Sequence, residues 1–128
     1  MINATQIGAR NHAKTHSAHD EIKTVTSSTF RSEVLAARGP VVVEFMSYGC
    51  AHCGVMEPIL QKVATQLKAT ETIVRVNVGV DADLAQSYKV EGTPTMLMFL
   101  DGQEVGRVEG PAPAEASLMA AVTLPFAT

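Results

Sequence analysis

Cys50 and Cys53 stand three positions apart and are the only cysteines among the 128 residues of this chain. They follow a short apolar run, residues 41–46, and precede a segment whose apolar residues have helical spacing. A cysteine at a helix N-terminus faces unpaired backbone N–H groups and the positive end of the helix dipole, which favour a thiolate. The thiolate attacks in disulfide exchange, and a second thiol one turn later can resolve the mixed disulfide. The spacing therefore predicts a relay in which Cys50 attacks and Cys53, the more buried thiol, resolves.

The two residues between the cysteines, Ala51 and His52, are expected to tune this relay. His52 offers a positive charge or a hydrogen-bond donor close to Cys50, and either would stabilise the thiolate. Stabilising the reduced form makes the corresponding disulfide a better oxidant. We therefore expect His52 to shift the couple in the oxidising direction.

Two other interpretations of the cysteine pair are half of a zinc site and a pair of unrelated structural cysteines. A structural zinc site needs four ligands, and no second Cys-x-x-Cys is present in the sequence. The remaining histidines, which would have to complete it, stand close to the N-terminus at His12, His16 and His19. A dithiol relay requires neither a metal nor an organic cofactor, so we expect none.

Composition argues against several classes of partner. Ten basic and thirteen acidic residues give a net charge of −3, and aromatic residues make up 5% with no Trp. These values predict no nucleic-acid binding, by charge or by base stacking. No apolar run approaches the roughly 18–20 residues that span a bilayer, and residues 1–23 lack the apolar core of a secretory signal. We expect no membrane association and a cytoplasmic location, with a periplasmic one left open if an export signal has been trimmed.

The length predicts one domain, preceded by an N-terminal extension at residues 1–21 that is flexible or a short helix. From residue 22 onwards, apolar runs alternate with segments of helical spacing, in the order β-α-β-α-β-α-β-β-α. This pattern predicts an α/β fold with a mixed central sheet of about five strands, flanked on both faces by about four helices. Strands are predicted at residues 22–26, 41–46, 72–80, 96–100 and 104–109, with Asp101-Gly102 as a hairpin turn. Helices are predicted after residues 27–29, after Cys50, after a capping Asp81, and over residues 114–122.

Residues 22–123 resemble the thioredoxin-fold family throughout. The motifs that carry the resemblance occur in the family's order: the strand at 41–46, Cys50-Ala51-His52-Cys53, the helix-kinking Pro58, Thr93-Pro94-Thr95, Asp101-Gly102 and Gly110. The resemblance implies a thioredoxin-like domain at residues 22–128 and thiol–disulfide oxidoreductase activity on protein disulfides. It also implies protein disulfide or dithiol substrates, a reductase or thiol pool as electron donor, and a monomer.

The resemblance also implies roles for residues outside the cysteine motif. Pro94 would follow a cis peptide bond beside the disulfide, leaving the backbone of Thr93 to pair with an extended substrate segment. Glu44 would be a buried acid beneath Cys53 that shuttles its proton during resolution, although an edge glutamate reaching solvent is the alternative. Arg75 stands where a lysine commonly pairs with that acid, and either pairing or pointing to solvent is open. A substrate groove would involve Gly49, Ala51, Thr93, Pro94 and Gly110.

Two departures from the family pattern bear on function. Gly49 replaces the tryptophan that usually precedes the first cysteine, and Ala51-His52 replaces the Gly-Pro pair of reducing thioredoxins. A histidine at the second middle position resembles disulfide isomerases and periplasmic oxidases. A thioredoxin-like reductase is the leading interpretation. A disulfide oxidase or isomerase tuned by His52, or a binding module without turnover, are the alternatives.

Overall fold

The structure, a computed structural model, describes residues 20–127. The predicted extension at residues 1–21 therefore lies outside the described residues, apart from its last two positions. The strands are β1 (Lys23–Thr24), β2 (Pro40–Met46), β3 (Thr72–Asn77), β4 (Thr95–Leu100) and β5 (Gln103–Glu109). The helices are α1 (Arg31–Leu35), α2 (Ala51–Leu67), α3 (Ala82–Ser87) and α4 (Glu115–Thr123), followed by a 3₁₀ turn at Leu124–Phe126. The predicted order of elements is confirmed.

The strands form one mixed sheet in the order β1-β3-β2-β4-β5. Strands β1, β3 and β2 run parallel, whereas β4 is antiparallel to β2 and β5 is antiparallel to β4. The central strand β2 is buried from Val41 to Met46. Its near-continuous apolar run reflects the covering of both sheet faces, because a strand with one wet face would alternate in polarity.

Two apolar layers cover the sheet. Helices α2 and α4 pack on one face around Met56 and Leu118. Helices α1 and α3 pack on the other, around Val34 and Leu84. Because successive residues of a strand point to opposite faces, Val42 faces α2 and Glu44 must face α2 as well. None of the helices within residues 20–127 combines the length and apolar character needed to cross a membrane.

Three of the predicted elements differ from the structure in a boundary or in a cap. The strand predicted over residues 72–80 ends at Asn77, whose side chain accepts a hydrogen bond from Gly79 N–H at 2.9 Å and folds the next residues into a turn. Asp81 precedes α3 without capping it through its side chain. Its carboxylate instead accepts hydrogen bonds from the backbone and hydroxyl of Ser27, at 3.0 Å each. Helix α1 begins only at Arg31 and has no side-chain cap.

The turn between β4 and β5 fits the predicted hairpin. Asp101 and Gly102 both have positive φ angles, 50° and 84°. A two-residue hairpin turn needs this conformation because its twist matches that of the flanking strands. The hairpin pairing also brings together the loop before β4 and the loop after β5, at the end of the two strands opposite the turn.

Candidate active site

Cys50 sits at the junction between the central strand and the longest helix. Strand β2 ends at Met46, and Cys50 is the residue immediately before the first turn of α2. Its sulfur accepts a hydrogen bond from Cys53 N–H at 3.2 Å, so the cysteine itself caps the helix. The two cysteines form a disulfide with their Cα atoms 5.2 Å apart. The site therefore places a sulfur at the positive end of a helix dipole, where negative charge is stabilised.

The two sulfurs differ in access to solvent. Cys53 is 4% exposed and lies on the buried side of α2, in its first turn. Cys50 is half-buried, and its neighbours Gly49, Ala51 and His52 are all exposed. A partner protein can therefore reach Cys50 before it reaches Cys53, which is the order that a dithiol relay needs.

The loop before β4 lies against the disulfide. The peptide bond between Thr93 and Pro94 is cis, as the resemblance implies. The carbonyl oxygen of Thr93 is 3.5 Å from Cys50 Sγ. The carbonyl oxygen of Pro94 accepts a hydrogen bond from Gly110 N–H at 2.9 Å, and Gly110 has a φ of +55°. Three of the predicted groove residues, Thr93, Pro94 and Gly110, are thus brought together beside Cys50.

The surface in front of Cys50 is open. A Cβ atom added at Gly49 would meet no atom within 4 Å. The preceding Tyr48 is 77% exposed and offers the large apolar side chain that Gly49 lacks. His52 is exposed as well, and the hydrogen bond that Cys50 Sγ accepts comes from the Cys53 backbone, not from the His52 ring. Any influence of His52 on Cys50 in this state is therefore one of charge.

Glu44 is fully buried in the middle of β2. Its partner in the neighbouring strand β3 is Arg75, and Arg75 Nε lies 3.4 Å from Glu44 Oε1. Neither carboxylate oxygen accepts a hydrogen bond within residues 20–127. Burial raises the pKa of Glu44 to about 7, Arg75 opposes this rise, and the charge of Glu57 adds to it. Glu44 thus does not reach solvent, and Arg75 turns towards it instead of pointing outward.

Glu57 is a charged neighbour of this pair that sequence analysis did not single out. Arg75 Nη2 donates to both Oε1 and Oε2 of Glu57, at 2.7 Å each. Glu57 is four residues after Cys53 in α2, which places it on the same side of the helix. The four-residue spacing from Cys53, together with a charged Arg75 beside a buried Glu44, is the signal that could have identified Glu57 from the sequence.

The raised pKa of Glu44 predicts a pH-dependent cost to folding. Between pH 4.5 and about 7 the unfolded chain ionises Glu44 while the folded chain keeps it protonated, so stability falls as pH rises. The loss is about 3 kcal/mol, at about 1.4 kcal/mol per pH unit of pKa difference. Urea unfolding at pH 4.5 and pH 8 should show a pH-dependent loss of stability that is smaller in Glu44→Gln than in the wild type by about 3 kcal/mol. Glu71, whose pKa burial also raises to about 7, is present in both proteins and cancels in the comparison.

An equal pH-dependent loss of stability in the wild type and in Glu44→Gln would contradict the assignment. The comparison between two pH values is needed because a buried Gln side chain has its own desolvation cost. That cost is the same at both pH values, and so it does not enter the difference.

Comparisons with known proteins agree with the geometry of the fold and the cysteine pair. A family model described as Thioredoxin matches residues 21–123. A thioredoxin of Mycobacterium tuberculosis is 33% identical over 95 residues, which cover 74% of this chain and 81% of that protein. Thioredoxin 1 of Synechococcus elongatus is 35% identical over 89 residues, covering 70% and 83%. Protein disulfide-isomerase 2-3 of Arabidopsis thaliana is 37% identical over 79 residues, covering 62% of this chain but 18% of that protein.

The family match covers every element from β1 to α4 and includes both cysteines. The relatives named thioredoxin are matched over most of their own length, so the likeness concerns the whole domain. With a Cys-x-x-Cys disulfide at the N-terminus of α2 and a cis proline beside it, this chain belongs to the thioredoxin family.

Proposed function

We propose that this protein, a thiol–disulfide oxidoreductase of the thioredoxin family, works as a reductase of disulfides in other proteins. The observation that carries the proposal is the unequal exposure of a cysteine pair at a helix N-terminus. Cys50 is reachable and has a sulfur that accepts a backbone N–H, whereas Cys53 is buried one turn later. This arrangement supports attack by one thiol and resolution by the other.

The first step uses the reduced protein. The Cys50 thiolate attacks one sulfur of a substrate disulfide, forming a Cys50–substrate bond and breaking the substrate S–S bond. The released substrate sulfur leaves as a thiolate and takes a proton from solvent. The helix N-terminus and the Cys53 N–H stabilise the attacking thiolate, which raises its fraction at neutral pH.

The second step releases the substrate. Cys53 gives up its proton, attacks Cys50 Sγ, and displaces the second substrate sulfur as a thiolate. The substrate has then gained two electrons and the protein carries the Cys50–Cys53 disulfide. We assign Glu44 as the proton acceptor for Cys53. Its support is burial on the face of β2 that α2 covers, and a pKa of about 7, close to the pH at which it would act.

Substrate backbone would lie along the loop that contacts Cys50. The Thr93 backbone, the turn at Pro94 and the open backbone of Gly110 form one wall of this groove. Gly49 and Ala51, which are both exposed, would form the other, and Tyr48, the residue before Gly49, has most of its side chain exposed. An extended substrate segment adding to the Thr93 backbone, as a short strand, would bring its disulfide to Cys50.

Two further proposals concern the surroundings of the protein. A reductase must be reduced again after each turnover, so another reductase or a pool of small thiols would supply two electrons to the Cys50–Cys53 disulfide. We propose that the protein acts in a reducing compartment such as the cytoplasm, because a reducing pool there would keep the dithiol form populated. We also propose that it is a monomer. The substrates proposed are protein disulfides, with no nucleic acid or membrane partner.

A disulfide oxidase or isomerase is the second candidate. One observation favours it, the histidine between the cysteines, and a disulfide-isomerase is among the similar proteins. The third possibility, a binding module without turnover, needs no thiols, and the intact cysteine pair makes it the weakest of the three.

Replacing the resolving cysteine should trap the first step. In Cys53→Ser, Cys50 still attacks but cannot be displaced, so mixed disulfides with substrate proteins accumulate. With insulin as substrate, non-reducing electrophoresis should show a covalent adduct of the reduced variant, and insulin reduction should stop. The matched variant Cys50→Ser should form no adduct, because the remaining thiol is buried. Adducts of equal yield in both variants, or insulin reduction by both, would contradict the assigned order of the two cysteines.

The reduction potential of the cysteine pair separates the first two candidates. Equilibration with glutathione buffers should give a value near −270 mV for a reductase, whereas a value above about −200 mV would favour an oxidase or isomerase over a reductase.

His52→Ala should lower the reduction potential of the cysteine pair by about 30 mV, which corresponds to about 1.4 kcal/mol of thiolate stabilisation. An unchanged potential in His52→Ala would show that this histidine does not tune the couple.

A further inference from the structure

The buried guanidinium of Arg75 is engaged most closely by a residue outside the cysteine motif. Its Nη2 atom lies 2.7 Å from each carboxylate oxygen of Glu57. Its Nε atom lies 3.4 Å from Oε1 of Glu44 and makes no hydrogen bond within residues 20–127. One cation is therefore shared between two carboxylates, and the half-exposed Glu57 holds it more tightly than the buried Glu44.

Glu57 is itself held in place by a glutamine one turn later. Gln61 Nε2 donates to Glu57 Oε2 at 2.9 Å and to Asp20 Oδ1 at 2.9 Å. Gln61 Oε1 accepts the backbone N–H of Glu21 at 2.9 Å. The Glu57 carboxylate is thus held by both Gln61 and Arg75, and it keeps the guanidinium in one position. The fold therefore fixes how closely Arg75 approaches each of its two partners, Glu57 and Glu44.

This division decides how strongly Arg75 can stabilise ionised Glu44. An arginine stays protonated at every accessible pH, so the cation is always present. If Glu57 were neutral, the whole positive charge would act on Glu44 and favour its carboxylate form. With Glu57 ionised, its own charge repels a negative charge at Glu44, and its hydrogen bonds to Nη2 keep the guanidinium from turning fully towards Glu44.

We propose that Glu57 is a positioning residue for the redox reaction, which holds Arg75 between two carboxylates and so leaves Glu44 able both to accept and to return a proton. The inference deepens the proposed function and rests on the proton role assigned there to Glu44. Cys53 and Glu57 share one side of α2, so the same helix carries the proton donor and the residue that sets its acceptor. Glu57 does not touch the reacting sulfurs and acts through Arg75.

The charged groups that act on Glu44 come from two elements, β3 and α2. Arg75 faces it from β3 and Glu57 from α2, while Asp20, in the segment before β1, acts on Arg75. The partner of Glu44 in β4 is the apolar Met96. A change in the charge of Glu57 should therefore reach Glu44 in two ways, directly and through the position of the arginine.

The test is a direct titration of Glu44 in Glu57→Gln, an isosteric change at a half-exposed position. Carboxyl ¹³C NMR of the oxidised protein follows the Glu44 resonance, which Glu44→Gln identifies by its loss. The expected result is a fall of the Glu44 midpoint by about one pH unit, the lower range for a neighbouring charge. The matched control is Glu104→Gln, which removes a carboxylate paired with Arg107 at 3.0 Å on β5 and should leave the midpoint unchanged.

Two outcomes would overturn the proposal. The first is an unchanged Glu44 midpoint in Glu57→Gln. The second is an equal fall when Glu57→Gln is made in an Arg75→Gln background, because the effect would then not pass through the arginine. Neither measurement depends on turnover, so each stands apart from the failure of the proposed function.

The rate at which Cys53 resolves a Cys50 mixed disulfide shows whether the change at Glu44 affects the redox reaction. The pH at which this rate is half-maximal should fall in Glu57→Gln by the same amount as the Glu44 midpoint. A midpoint that falls while this pH profile stays fixed would support the charge coupling and overturn the proton role of Glu44.

Discussion

A carboxyl group in the centre of a sheet with both faces covered constrains much of the surrounding structure. Glu44 lies on β2 between valines and phenylalanine and has no exposed surface. Leaving a lone carboxylate there would cost several kcal/mol, so the group must either stay protonated or keep a cation close. The structure combines both solutions, with Arg75 in the next strand and a raised pKa. Such a group is costly for stability but suited to transferring a proton near neutral pH.

The same strand also positions the cysteines. Because β2 is anchored on both sides in the sheet, its end at Met46 fixes where the following loop and α2 begin. Cys50 falls at the helix N-terminus, and Cys53 lies in the first turn on the buried side of the helix. The reactive sulfur and the buried acid are thus attached to one strand, and α2 carries both the resolving thiol and Glu57.

Much of this arrangement is predictable from local sequence features. The Cys-x-x-Cys spacing, the valine-rich run before it and the turn at Asp101-Gly102 each have a direct physical interpretation, and all three agree with the structure. The cis bond before Pro94 came from family resemblance, since most X–Pro bonds are trans. The resemblance also implies a buried Glu44, and the apolar residues on both sides of it in β2 agree with that burial.

Interactions between distant segments were not predictable in the same way. The pairing of Arg75 with Glu57 depends on the register between β2 and β3 and on the rotation of α2 above them, which periodicity does not specify. The sequence predicts Asp81 as a helix cap, but its carboxylate accepts a hydrogen bond from Ser27, which is distant in sequence. In both cases a polar side chain pairs with a residue from a distant segment and not with one close in sequence.

The proposed dithiol relay depends most directly on Cys50 being the reactive thiolate. The decisive measurement is alkylation of the reduced protein with iodoacetamide from pH 5 to pH 9, with the modified cysteine identified by peptide mass mapping. The account predicts that Cys50 is modified first, with a half-maximal rate below about pH 7.5, as for cysteines at helix N-termini. Earlier modification of Cys53, or a midpoint near the value of about 8.5 for an ordinary thiol, would contradict it.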